Sequence, residues 1–589
     1  MSITLFKEVS YTLSKLLSDI NMGEIGLPEI QRPFVWPNTK VRDLFDSMYK
    51  GFPVGYLLFW ANGAGDGHKQ IGVDTRQKAP RLLIIDGQQR LTSLYAVIYG
   101  KPVLRSNFRQ ERIQIAFNPI TEKFEVCDAA TRRNSEFIPD ISVVWSGETD
   151  IFELAESYLN QLKNSRDVTP EEQKMIKKSI NHLDNLSAYP FTVLEISGSA
   201  TEEQMSNIFV RVNSSGTPLN QADFILTLMS VFWDEGRHEL ERFCRDSRIA
   251  PVTGPSPFNY YFQPDPDQLL RVSVGVAFRR ARLQYVYNIL RGKDMESGEF
   301  SDERREKQFA LLQEAQNKML DLQNWHDFLK AIRRAGYTGQ SMIISVTNIL
   351  YAYVFYLIGK YDYKVEPFML RNLIARWFFF SSLTSRYSSG AETAMEEDFN
   401  RLEKVNTADD FISQLNKTID DSLTEDYWKI TLPNDLATSS PRSPSLFAYY
   451  AALNLLHSRV LFSGLLVSDL LDPANKAKKA AVERHHLFPK EYLKKIKITE
   501  QRDQNQIANF ALIEWNDNIA IQDDPPAKYF PEYINRFKSD SGLKEMLRVH
   551  ALPENWQHME YFEFLEVRRK LIAEIILEGF KELSSKSGD

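Results

Sequence analysis

Residues Val482–Ile521 read VERHHLFPKEYLKKIKITEQRDQNQIANFALIEWNDNIAI, and this stretch decides how the rest of the chain is read. Two adjacent histidines, His485 and His486, precede an apolar-proline turn, and Asn509 and Asn518 lie on the segments that follow. Phosphodiester hydrolysis needs a base to generate hydroxide, a hard cation to offset charge on the phosphate, and a frame that holds both. The order of residues suits a one-metal finger. A strand ending at the histidine pair aims His486, whose neutral imidazole is available near pH 7, as general base. His485 sits beside the cation with Asn518, and Glu483, two residues earlier in an extended segment, is an alternative oxygen ligand. Asn509 braces the loop that carries His486. Imidazole and oxygen ligands with no cysteine nearby suit Mg²⁺ or Mn²⁺ better than a structural zinc.

Charge narrows how such a finger would meet nucleic acid. The net charge is −7, the wrong sign for binding DNA by bulk electrostatics, so phosphate contacts must come from local patches. One patch surrounds the finger: Lys476, Lys478, Lys479, Arg484, Lys490, Lys494, Lys495 and Lys497 face only Glu483 and Glu491. Lys490, Lys494 and Lys495 follow the turn directly and are the expected DNA contacts. A second patch, FRRARLQYVYNILRGK (Phe278–Lys293), interleaves arginines with Tyr285 and Tyr287. It reads equally as a DNA-binding face and as a solvated helix face.

At 589 residues the chain has room for two to four domains. The expected fold class is α+β and multidomain. Residues 1–235 alternate strand-like and helix-like segments: GYLLFW and RLLIIDG are apolar strands, and a helix starts at Asn38 or Thr39. Residues 236–435 are dominated by amphipathic runs such as Glu306–Gly336 and are expected to be helical. Thr431–Ser445, with three prolines and four serines, reads as a linker before a C-terminal region, 436–589, that carries the finger in a mostly helical setting. Two cysteines, Cys127 and Cys244, cannot form a disulfide framework, which points to a reducing cytoplasm. The most apolar run, Met342–Gly359, is short and contains Ser345, Thr347 and Asn348, so it is expected to be a buried helix with no membrane span.

The segment Asp86-Gly87-Gln88-Gln89-Arg90 lies at a strand-to-helix junction. The amides of a first helical turn, with the dipole behind them, attract phosphate. Gly87 permits close approach, Arg90 can grip phosphate oxygens bidentately, and Asp86 can order a metal or a water. The plain alternative is a helix capped by Asp86 with Arg90 in solvent. No Walker-type phosphate loop occurs anywhere in the chain.

These motifs together resemble one family. The finger is similar to the His-Asn-His or His-Asn-Asn ββα-metal (HNH) finger at the C-terminus of GmrSD-type, modification-dependent (type IV) restriction endonucleases. IQRPFVW (Ile30–Trp36), DGQQR and FVRVNSSGTPLNQADF (Phe209–Phe224) follow the residue order of the N-terminal half of the same family, in its single-chain BrxU-like and SspE-like branches. The resemblance implies a ParB/sulfiredoxin-like N-terminal domain that binds and hydrolyses a nucleoside triphosphate, ATP or GTP. Asp86, Gly87, Gln88, Gln89 and Arg90 would form its NTPase site, Gln31 and Arg32 would line the pocket, and Asn213, Ser214 and Gly216 would close it. It further implies double-stranded DNA with modified bases as partner, a role in anti-phage defence and a homodimer in some nucleotide states. Phosphorothioate-sensing members carry an aromatic before the Gln-Arg pair where this chain has Ile30. That departure leans the expectation toward hydroxymethylated or glucosylated cytosine. His485 stands where many relatives have Asp, so the first metal ligand stays open between His485 and Glu483. Two other readings remain: a nucleotide-switched DNA-binding regulator whose finger is not catalytic, and a nuclease acting on phosphorothioate DNA, unmodified DNA or RNA.

Overall fold

The computed structural model describes residues 5–26, 34–61, 81–105, 109–147, 150–198, 208, 221–294, 301–474, 482–537 and 539–584, with only the backbone at Leu83, Asp223, Phe224, Thr227, Ser230, Val231 and Val482–Arg484. These residues divide into two units, Met1–Phe232 and Trp233–Asp589. The helical middle and the finger-bearing region, expected from the sequence as separate domains, both fall in the second unit.

In the first unit the apolar runs pair into a mixed sheet. Its strands are β1 (Phe6–Thr12), β2 (Ile25–Gly26), β3 (Leu57–Ala61) and β4 (Leu82–Asp86). The small hairpins β5 (Pro102–Leu104) with β6 (Gln110–Arg112), and β7 (Ile115–Asn118) with β8 (Lys123–Val126), lie outside it. The long strand β9 (Pro190–Ile196) returns to complete the order β1-β9-β3-β4-β2. The β3–β9 and β2–β4 pairs are parallel, while β1–β9 and β3–β4 are antiparallel. Because successive strand residues face opposite sides, Leu57, Phe59, Leu82, Ile84 and Val193 join one core with Leu16, Val41, Phe45 and Leu94 from the helices Leu13–Asn21, Asn38–Tyr49 and Gln88–Ile98. Leu58 and Ile196 lie in a smaller cluster with Trp60, Ile85, Leu194 and Ile208.

Among its described residues the second unit is helical except for one hairpin, β10 (Val482–His486) and β11 (Phe510–Glu514). The amphipathic run Glu306–Gly336 is two helices, Asp302–Leu320 and Leu322–Arg334, because Asp321 stops the first and its carboxylate caps the amide of Asn324 in the second. The Met342–Gly359 run is the buried helix Val346–Tyr361, covered on all sides from Asn348 to Gly359. Among the described residues no helix is long and apolar enough to cross a membrane.

One expectation needs correction. Thr431–Ser445 is not an extended linker: it begins with a helical turn, Leu432–Asp435, whose Leu432 and its neighbour Leu436 are fully buried, and the next helix already starts at Pro444. The composition signalled a break, but the two leucines dock it into the core. In the Phe278–Lys293 patch, read equally as a DNA-binding and a solvated face, three arginines have partners within the unit. Arg279 pairs with Asp362, Arg280 reaches Glu396 at 3.2 Å, and Arg282 donates to Thr393 at 3.1 Å.

Candidate active site

The segment read as a finger is built around the two strands β10 and β11 in a fixed register, His485 opposite Ala511 and His486 opposite Phe510. Neighbouring strand residues face opposite sides, so the two histidines meet different surroundings. The His485 ring is 3% exposed. Its Nδ1 lies 2.8 Å from Asn518 Oδ1 on the short helix Trp515–Ile521, and the ring meets Tyr529 edge-on with centroids 5.9 Å apart. Its Nε2 is buried and makes no hydrogen bond among the described residues. Burial pushes its pKa down to about 4, the Asn518 bond opposes the shift, and neighbouring His486 adds to it. At neutral pH His485 is therefore an uncharged imidazole, the form that ligates a cation.

His486 is half-buried. Its Nε2 lies 2.9 Å from Asn505 Oδ1, and Phe510 packs against its ring with centroids 4.6 Å apart. Burial lowers its pKa, the Asn505 bond acts against this, and nearby Lys490 adds to the lowering. Asn509 is fully buried and braces the turn in both directions. Its Oδ1 accepts from the Phe488 amide at 2.8 Å, and its Nδ2 donates to the carbonyls of Phe488 at 3.1 Å and Gln504 at 3.0 Å. The structure thus brings His485 to Asn518 and Asn509 to the turn.

The Glu483 side chain lies outside the described residues. Among those described, no three His, Cys, Asp or Glu side chains gather as a metal cage. The donor set that fits a cation is the His485–Asn518 pair, a neutral imidazole with an amide oxygen 2.8 Å from its Nδ1; the buried Nε2 points away from that oxygen. Of the expected DNA-contacting lysines, Lys490, Lys494 and Lys495 lie on the helix Lys490–Lys495, where Lys494 pairs with Glu491 at 2.5 Å. Lys476, Lys478 and Lys479 lie outside the described residues.

Several residues that hold the finger gave no signal in the sequence. Asn505 sits in the polar run QRDQNQ, where nothing distinguishes it from its neighbours. Tyr529 donates to the Leu487 carbonyl at 2.7 Å. Phe488 packs against Phe564 and Tyr561 of the C-terminal helix Tyr561–Glu582, with centroids 4.9 and 5.4 Å away. From the same helix the fully buried Arg568 donates to the carbonyls of Ala508 at 2.7 Å, Phe510 at 2.8 Å and His550 at 3.0 Å. That helix is held against Pro444–Leu455 at close range: a Cβ on Gly579 would fall 2.6 Å from Ala452 Cβ.

His550 is a second histidine kept neutral by burial. It is 1% exposed, and its Nε2 lies 2.8 Å from the Arg459 carbonyl. Burial holds its pKa at about 4, against the Arg459 bond and with help from the Arg568 cation. The unfolded chain takes up this proton near pH 6.5, whereas the folded chain refuses it until about pH 4. Stability from this site is therefore complete above about pH 6.5 and falls as pH drops toward 4, and His485 acts with the same sign. Denaturant midpoints measured across that window are expected to decline, and His550→Gln is expected to flatten the decline.

At the front of the first unit, Gly87 forms the N-cap of Gln88–Ile98 in a left-handed conformation, φ +95°. A Cβ there would lie 2.2 Å from Leu57 Cδ2, so the turn is restricted to glycine. Asp86 does not cap the helix; its carboxylate pairs with Arg90 at 3.1 Å. Nor does Arg90 extend into solvent. Its guanidinium donates to the carbonyls of Val54 and Tyr56, both at 2.7 Å, and burial lowers its pKa against the pull of Asp86. Gln89 Oε1 accepts from the Val35 amide at 3.0 Å, which ties the segment after the Gln31-Arg32 pair to the same helix. Gln31, Arg32, Asn213, Ser214 and Gly216 lie outside the described residues.

Comparison with known proteins agrees with this front end. Residues 13–230 match the family model of the GmrSD restriction endonuclease N-terminal domain, a span that includes β2 to β9 and the Asp86–Arg90 turn and ends before the finger. The whole chain is similar to an uncharacterized protein of Methanocaldococcus jannaschii, 23% identical over 634 aligned residues that cover 97% of this chain and 99% of that protein.

Proposed function

We propose that this chain is a nucleotide-regulated, metal-dependent endonuclease that cuts double-stranded DNA carrying hydroxymethylated or glucosylated cytosine, as a defence against foreign DNA. The observation that carries the reading is the finger itself: a neutral His485 paired with Asn518, and next to it His486, held apart by different partners on one hairpin. The N-terminal match to a restriction endonuclease domain supports DNA as the substrate. The preference for modified cytosine follows from the family resemblance and from Ile30.

His485 and Asn518 would hold Mg²⁺ or Mn²⁺. Such a cation, when bound, offsets the charge that builds on the scissile phosphate. His486 takes the proton from the attacking water, a task suited to an imidazole that is uncharged near pH 7. Asn509 keeps the turn rigid, so that the base does not drift from its line of attack. Lys490, Lys494 and Lys495 contact the DNA backbone. In the first unit Asp86, Gly87, Gln88, Gln89 and Arg90, with Gln31, Arg32, Asn213, Ser214 and Gly216, bind and hydrolyse ATP or GTP. The nucleotide alters cutting by binding two arrangements of the chain with different affinity, the one way a ligand can shift such an equilibrium.

The metal assignment is tested by stripping the protein with a chelator. Cleavage is expected to vanish and to return with Mg²⁺ or Mn²⁺, while cleavage that persists in chelator would refute it. The front assignment is tested with Asp86→Ala, which is expected to lose nucleotide hydrolysis; an unchanged hydrolysis rate would remove the site from the account.

A further inference from the structure

We propose that Asn505 is the positioning residue for His486: its amide oxygen accepts the Nε2–H and so fixes the ring in the tautomer whose Nδ1 is the basic nitrogen. The consequence for catalysis rests on the nuclease reading above, but the tautomer itself does not. A neutral imidazole has one N–H and one lone pair, and the bond made by one nitrogen sets which of them carries the proton. Here the contact is Nε2 to a carbonyl-type oxygen at 2.9 Å, so the proton belongs on Nε2.

Asn505 is held for this task from both sides. Before it, the Tyr561 hydroxyl donates to the Asp503 carbonyl at 2.7 Å, and the buried Gln504 amide donates to the Ile498 carbonyl at 2.8 Å. After it, the Ile507 amide donates to the Thr438 carbonyl at 2.9 Å, and Arg568 grips the Ala508 carbonyl at 2.7 Å. Asn505 also ends the short helix Gln501–Gln504, but that role uses its backbone N–H, which returns to the Gln501 carbonyl at 3.1 Å. Its side chain makes its one hydrogen bond among the described residues to His486. A purely structural C-cap has no use for that amide. When His486 takes a proton, the ring keeps its Nε2–H bond, so charge develops without a change of partner.

The test is the tautomer of His486 in the full-length protein, labelled with ¹⁵N-histidine and read from two-bond ¹H–¹⁵N correlations, with the ring assigned by its absence in His486→Gln. The expected pattern is a protonated Nε2 and an unprotonated Nδ1. Asn505→Leu, close in size but without an acceptor, is expected to mix the tautomers. It should lower the cleavage rate constant by about ten- to a hundredfold, the usual effect of losing an orienting partner, with KM for DNA nearly unchanged. Asn505→Asp keeps the oxygen and is expected to restore both the tautomer and most of the turnover. A protonated Nδ1 in the wild type, or a tautomer and rate unmoved in Asn505→Leu, would overturn the proposal. A wild type with the expected tautomer, sensitive to Asn505→Leu yet inert toward every DNA, would uphold the contact and sink the nuclease reading instead.

Discussion

Replacing His486 by alanine is expected to abolish DNA cleavage while nucleotide hydrolysis by the same preparation continues at the wild-type rate. Loss of a general base costs about 10²- to 10⁴-fold in rate, which for a slow single-strand cut takes activity below detection. The fold should survive, because His486 is only half-buried and the turn after it is fixed by other groups. Asn509 holds Phe488 by two hydrogen bonds, and Tyr529 holds the Leu487 carbonyl. His486 contributes packing against Phe510 and one bond to Asn505, a small share of the hairpin's contacts. Cleavage assayed beside hydrolysis separates the two activities, and a variant that still cuts would refute the assignment of His486 as base.

Arg568→Met is expected to be the most damaging substitution away from the reacting groups. The Arg568 guanidinium is fully buried, and among the described residues its polar partners are backbone carbonyls and tyrosines, with no carboxylate. Two effects oppose each other. Methionine removes a charge whose burial is costly, but it also takes away the Arg568 bonds to the carbonyls of Ala508, Phe510 and His550 and leaves the buried Ala508 and His550 acceptors short of a donor. At about 1 kcal/mol or more for each of the buried Ala508 and His550 acceptors, the second effect amounts to about 2 kcal/mol or more. The relief from desolvation is smaller than it looks, because the same carbonyls that would be orphaned are the dipoles that stabilise the cation now. Destabilisation therefore wins, and it falls on the segment that carries Asn505 and Asn509. The denaturant midpoint of the variant should fall accordingly, and cleavage should drop even where the protein remains folded. An unfolding free energy within about 0.5 kcal/mol of wild type would show that Arg568 is not the clamp described here.

Much of this was legible in the sequence, and the failures share a cause. The apolar runs at Leu57–Ala61 and Leu82–Asp86 are strands because their length and composition leave no other use for them. The helix at Asn38 starts where its preceding proline and its apolar period place it. The His-His and Asn-x₈-Asn order drew attention to the hairpin of β10 and β11, beside which His485 meets Asn518. Asn505 and Arg568 escaped because their importance lies in contacts 19 and about 60 residues away, which no local pattern encodes. Arg90 is a similar case. Its charge was visible, but its engagement with the carbonyls of Val54 and Tyr56, more than thirty residues earlier, was not. Thr431–Ser445 misled in the opposite sense, since its prolines and serines signalled a break while two leucines decided the packing.

The central claim is tested most directly by cleavage of matched DNAs, one unmodified and one with hydroxymethylated or glucosylated cytosine, in Mg²⁺ or Mn²⁺, with and without ATP or GTP. The account predicts selective loss of the modified DNA, dependent on the cation and altered by the nucleotide. Binding of both DNAs with no cutting in any cation would contradict it and make the finger a gripping element of a regulator.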